Sequence, residues 1–201
     1  MTFAATALIG ESFVGEGANA AHTNVVLGRR GGPVETAWAT ALATPSAGHV
    51  PFVTVLRPSV PVQPPTLFVP KAAATGDLHQ RATWGAAQAG LALGVADAVE
   101  AGLIPGSQVG GLLVIAAIWV NPAVDDLDEA FANQRTAAFR ALEAAVLGTR
   151  HSVVPVNREG LDEALAASPV ALSTMGRGLT QDRANFLAAA CAGRLAVTRA
   201  A

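Results

Sequence analysis

The chain of 201 residues holds a single cysteine, Cys191, so no disulfide can close within it. No cysteines or histidines stand at zinc-ligand spacing, and no His-Glu-x-x-His, P-loop or Gly-x-Ser-x-Gly occurs. Long hydrophobic runs are missing: GLLVIAAIWV at 111–120 is strand-sized and too short to span a bilayer. Lysine is almost missing too. Of 13 basic residues, Lys71 is the only lysine and the other 12 are arginines. An alanine- and arginine-rich composition drifts lysine to arginine on open surface. Lys71 is then either a chance survivor or a place where a compact, desolvatable ammonium is required. The net charge of -2 offers no basic footprint for nucleic acid and no polybasic face for a membrane. The start, MTFAATALIGESF, lacks the basic flank, apolar core and processing site of a signal peptide, so a cytoplasmic protein is expected. What is present, 51% apolar and 14% charged residues, is the composition of a soluble globular chain.

TALIGESFVG (6–15) and AAHTNVVLG (20–28) alternate as strands. RRGGP then forces a turn, with Pro33 fit to open a helix over 33–44, where Val34, Trp38 and Leu42 recur every four residues. HVPFVTVLRP (49–58) and PTLFVPK (65–71) read as strands rich in β-branched residues, joined by a proline-rich connection. Asp77 is placed to cap a helix running to about 101, with Trp84, Gln88, Leu91 and Val95 near one stripe. GLLVIAAIWVNP reads as a buried strand, and 125–148 as an amphipathic helix stopped by Gly148. Helices against a mixed sheet make the class α+β. After residue 150 the pattern changes to helices at 159–168 and 179–200. The expected organisation is therefore a domain over 1–150 and a C-terminal helical appendage over 151–201.

Few residues announce chemistry by pattern. GEGANAAH lacks the third glycine of a dinucleotide fingerprint. His49, His79 and His151 stand beside turn-like residues and read as surface or strand-edge histidines. Asp125, Asp126, Asp128 and Glu129 read as solvated charge complementing a helix dipole. Trp38, Trp84 and Trp119 read as core. Gln88 is a buried amide needing partners or a ligand contact. His22, between small residues and an apolar run, is either a satisfied strand residue or a catalyst.

GESFVGEGANAAHTNVVLGRRGGPVETAWATALA resembles the opening of formaldehyde-activating enzymes, in its Gly-Glu, its glycine-rich turn, its Ala-His pair and its proline helix start. The resemblance continues through GHVPFVTVLRPSVPVQPPTLFVPK and WGAAQAGLALGVADAVEAGLIP and covers about residues 8–148. It implies a split β-α-β sandwich related to a ribosomal-protein domain. It also implies an enzyme of the carbon–nitrogen lyase kind, joining formaldehyde to a reduced pterin, tetrahydromethanopterin, to give the methylene derivative in one-carbon metabolism and formaldehyde detoxification. A homopentamer is implied, with the pterin site between subunits and neither metal nor redox cofactor. The family's active-site histidine falls on His22, its lysine on Lys71, its helix glutamine on Gln88, and a strand aliphatic that touches the pterin on Val53. Two positions depart from the family: Asn24 stands where an aspartate is usual, and Ala73 where a threonine is usual. Asparagine brings no charge and accepts only through its carbonyl. A lost charge-assisted bond costs roughly 1.5–3 kcal/mol in a buried site, about tenfold or more in pterin binding.

The chemistry itself explains an isolated histidine. A secondary amine adds to formaldehyde, the carbinolamine loses hydroxide to give an iminium, and a second amine closes the ring. Expulsion of hydroxide at neutral pH needs a proton donor, a role suited to imidazole. His22 is thus the expected general acid, and Lys71 holds a polar edge of the pterin or, alternatively, forms a Schiff base with formaldehyde. Asn24 and Ala73 motivate two other readings: condensation of formaldehyde with another amine in a biosynthetic pathway, and a non-catalytic formaldehyde or pterin binder.

Overall fold

A computed structural model describes residues 7–148. His151, Cys191 and the expected appendage over 151–201 lie outside the described residues. In chain order the elements are β1 (Leu8–Val14), β2 (Ala21–Arg29), α1 (Pro33–Ala43), β3 (Phe52–Val53), β4 (Val55–Arg57), β5 (Val60–Pro61), β6 (Thr66–Pro70), α2 (Gly76–Arg81), a π-helical turn (Ala82–Ala87), α3 (Gln88–Glu100), β7 (Leu112–Val120) and α4 (Leu127–Gly148). Five strands form one sheet in the order β1-β2-β7-β6-β3, and β4 and β5 form a separate hairpin. β6 and β7 are parallel neighbours, joined by the helical crossover, while the remaining pairs are antiparallel. The expected α+β class is what the chain adopts. No helix among the described residues is long and apolar enough to cross a membrane.

The period-2 pattern of β2 sorts its side chains cleanly. Ala21, Thr23, Val25 and Leu27 are buried, while His22, Asn24 and Val26 are half-exposed. The buried set meets α3 and α4, where Leu91, Val95, Ala138 and Leu142 complete a core with Phe68 and Ile118. Full burial of each large member contributes about 1.5–3 kcal/mol. The abundance of alanine and glycine lets this layer pack at very short range. A Cβ at Gly10 of β1 would lie 2.0 Å from the Ala141 carbonyl oxygen, and one at Gly94 of α3 would lie 2.5 Å from that of Arg135. Neither position admits a side chain without displacing α4.

Several expectations change. The strand expected over 49–58 is two short strands, because the Thr54 N–H turns to the Thr66 carbonyl while its own carbonyl takes the Val62 N–H. The hairpin of β4 and β5 thus occupies part of the expected connection. Thr75, not Asp77, precedes the first turn of α2. The three tryptophans are not core residues: Trp84 is 54% exposed, and Trp38 and Trp119 are half-buried. The π-helical turn explains Trp84, since its wider closure shifts the phase of the helix and drops Trp84 from the Leu91–Val95 stripe. His79 is not at the surface either. It is 3% exposed, accepts the Thr75 N–H at 3.1 Å through Nδ1, and donates through Nε2 to the Val120 carbonyl at 3.2 Å. His49 is half-buried, with Nδ1 donating to the Pro70 carbonyl at 2.9 Å.

Candidate active site

The face of the sheet turned away from α3 and α4 is covered only in part. α1 packs there over β2 and β7, and Val34 is its one buried side chain. Beyond α1, register determines which residues meet. Asn24 stands opposite Glu11 on β1 and Ala117 on β7; His22 stands opposite Phe13 and Trp119. The Lys71 N–H donates to the Ile118 carbonyl at 2.8 Å, which continues the β6–β7 ladder by one residue and sets Lys71 beside Trp119. Ala117, a single methyl on the intervening strand, leaves the lysine stem room to cross towards β2.

The result is a polar cluster bordered by aromatic rings. His22 Nε2 lies 2.5 Å from Glu11 Oε1, and Lys71 Nζ lies 3.4 Å from His22 Nδ1. Lys71 Nζ donates to Asn24 Oδ1, and the Asn24 side chain also hydrogen-bonds Glu11. Phe13 flanks the imidazole with a centroid separation of 6.0 Å and a tilt of 51°. Partial burial raises the pKa of Glu11, but the hydrogen bonds from Asn24 and His22, with the charges of His22 and Lys71, outweigh it. The carboxyl is held below its ordinary value. The side chains of His22 and Glu11 retain 29% and 44% exposure, so the cluster is accessible to a solute.

Asn24 therefore bridges unlike charges. Its amide donates to the carboxylate and its carbonyl accepts from the ammonium, an orientation the two partners dictate. An aspartate here would face Glu11 across the β1–β2 pair, like charge opposite like charge.

The other expected site residues lie elsewhere in the chain. The Gln88 amide is engaged with the backbone of Val55, Nε2 donating to the carbonyl at 3.1 Å and Oε1 accepting from the N–H at 3.3 Å. It fastens β4 to the start of α3 on the helix-covered side. Val53 on β3 is three strands from β2, ~14 Å at ordinary strand spacing. Ala73 is exposed and close to Gly48, whose added Cβ would lie 2.6 Å from that of Ala73. Glu11 is the functional candidate that spacing does not reveal. It is 11 residues from His22, and only the hairpin register brings the two together.

The acidic residues at the start of α4 serve structure. Asp125 Oδ1 and Glu129 Oε2 each accept from Asn19 Nδ2 at 2.8 Å, and Asp126 Oδ1 accepts the N–H groups of Asp128 and Glu129. No group of three or more His, Cys, Asp or Glu side chains that could hold a metal ion occurs among the described residues.

Comparison with known proteins gives a consistent result. The profile of the formaldehyde-activating enzyme (Fae) family matches residues 9–158. The chain is 37% identical over 140 residues to the bifunctional enzyme Fae/Hps of Methanosarcina acetivorans, covering 70% of this chain and 36% of that protein. It is 39% identical over 141 residues to the enzyme of the same name from Methanococcoides burtonii, with the same two coverages. It is 43% identical over 115 residues to that of Archaeoglobus fulgidus, covering 57% of this chain and 29% of that protein. The matched part thus spans about a third of the length of these curated relatives.

Proposed function

The chain belongs to the formaldehyde-activating enzyme family, and from that membership we propose that it condenses formaldehyde with a reduced pterin of the tetrahydromethanopterin type, with His22 as general acid. The observation that carries the reading is the placement of the His22 imidazole, 2.5 Å from a carboxylate and 3.4 Å from an ammonium, on an accessible sheet face. A pterin amine adds to formaldehyde to give the carbinolamine. The imidazolium of His22 protonates its hydroxyl, the C–O bond breaks, water leaves, and the nitrogen lone pair forms the iminium. The second pterin amine attacks that carbon, and its surplus proton returns to the imidazole. Holding two amines and the aldehyde together supplies much of the acceleration. Proton transfer by a positioned group contributes about 10²–10⁴-fold.

Lys71 holds a polar edge of the pterin through its ammonium. Borohydride reduction in the presence of formaldehyde tests this. A stable adduct on Lys71 means a Schiff base instead.

Val53 and Gln88 enter the site from a neighbouring protomer. A closed ring joins two different surfaces of each copy, and the His22 face and the Val55–Gln88 edge are two such surfaces. Exposed Ile9, Phe13, Leu56 and Trp84 lie on or near them. A homopentamer is the assembly expected, checked by light scattering on the whole chain.

Stopped-flow measurement of methylene-pterin formation, with tetrahydromethanopterin and tetrahydrofolate side by side, tests the assignment. Acceleration by the wild type, lost in His22→Ala with the fold retained, supports it; a His22→Ala rate equal to wild type removes it. Asn24 motivates a second reading, in which the acceptor is a smaller amine. Acceleration with such an amine and none with either pterin would favour it.

A further inference from the structure

On the β1 side His22 meets Glu11, a residue that the condensation as written does not use. Glu11 Oε1 lies 2.5 Å from Nε2, in direct hydrogen-bond contact with the ring. Asn24, opposite Glu11 in the register, holds the same carboxylate from the side. An imidazole and an amide, both from β2, thus converge on one carboxyl group of β1. From this geometry we infer that Glu11 is the positioning residue of the site, binding His22 through Nε2 so that Nδ1 is the atom that gives and takes the proton. The inference rests on the reading of His22 as general acid.

The chemistry follows from what each group can donate. Glu11 is held ionised, and an ionised carboxylate only accepts. The neutral imidazole therefore carries its hydrogen on Nε2 and its lone pair on Nδ1. Protonation then occurs at Nδ1, and the imidazolium that forms lies beside a negative charge that stabilises it. Lys71 acts in the opposite sense, since its ammonium stands on the Nδ1 side. Glu11 offsets that charge, and the carbonyl of Asn24 gives the ammonium another acceptor. β1 presents Glu11 and Phe13, β7 presents Trp119, and the residue after β6 is Lys71. α4 packs on the opposite face, where Gln134 meets Thr23, and the one charged side chain of α1, Glu35, accepts the Gly31 N–H.

The test is a titration of His22 by NMR in the full chain, its signals assigned by their loss in His22→Ala. In the wild type the neutral ring should show the Nε2–H form. Glu11→Gln, which keeps the size and removes the charge, should lower the titration midpoint by about one unit, and Glu11→Asp should restore part of it. Because the acid must be protonated, the alkaline limb of kcat in Glu11→Gln should move down by the same amount. That is about a tenfold loss above the midpoint, with KM changed little. A midpoint and pH profile unmoved in folded Glu11→Gln would overturn the inference. The titration decides the point even if the wild type accelerates no condensation, a result that would remove the proposed reaction and leave the Glu11–His22 coupling standing or falling on its own measurement.

Discussion

The two faces of the five-stranded sheet carry different chemistry on the same strands. On β2, Thr23, Val25 and Leu27 point into a layer of alanine, leucine and valine, where the buried Gln134 is served by Thr23 at 2.6 Å. One residue out of phase, His22 and Asn24 meet a carboxylate and an ammonium at the edge of solvent. The first face is nearly all side-chain volume, so its energetics are those of packing. The second is charge arranged around an imidazole, and its packing is incomplete. One nine-residue strand can serve both faces because its side-chain period is two. The lesson is that stability and chemistry are separable here by the parity of the residue number.

That separation can be broken by substitutions taken from each face. His22→Ala should give the largest effect, a loss of about 10²–10⁴-fold in condensation rate by stopped flow, with the melting temperature close to wild type. A melting temperature that falls as steeply as the rate would mean the two faces are not independent. On the packed face, Leu91→Ala should cost about 2–5 kcal/mol in urea unfolding, with kcat of the remaining folded protein unchanged. Gly94→Ala should cost about 1–3 kcal/mol, because its methyl meets the Arg135 backbone carbonyl. Asn24→Asp sharpens the comparison from the other side. The restored carboxylate should tighten tetrahydromethanopterin binding about tenfold, the value of one charge-assisted bond, while repelling Glu11 across the strand pair. The smallest effect should be the acid sensitivity of Asp97 on α3. Its pKa is lowered chiefly by the hydrogen bonds of Arg135, at 2.6 and 2.8 Å, against a small desolvation. A lowered folded pKa stabilises fully above the unfolded value and loses that contribution as pH falls through the folded one. Acid unfolding of Asp97→Asn should therefore show a shallower slope below the ordinary carboxylate range, with activity unaltered.

Much of this architecture is legible in the chain because burial on one side writes its period into the strand. β1, β2, β7 and the long helices follow from alternation and from glycine and proline punctuation. The break at Thr54 is not legible, since HVPFVTVLRP alternates well enough for one strand and the interruption comes from pairing with Thr66. The exposure of Trp84 depends on a π-helical closure that no spacing announces. His79 looks like a turn residue until β7 supplies an acceptor for its ring. Likeness to the family singled out His22, Asn24 and Lys71, and these three do meet on one sheet face. Val53, Ala73 and Gln88, singled out the same way, stand apart from them within the single chain. Glu11 escaped for a geometric reason: its contact is across a hairpin, and a linear reading counts along the strand. Extending the register from the Val14–Ala21 pair would have set Glu11 against Asn24.

The single lysine has a practical corollary. Lys71 is the one side-chain primary amine in the chain, and it is tethered to Asn24 across β7. An amine-selective label can thus mark only one side chain, and its rate of attachment reports how often that tether opens. The protein carries its own built-in gauge of the site, readable without any engineered tag by peptide mass, which separates Lys71 from the α-amino group.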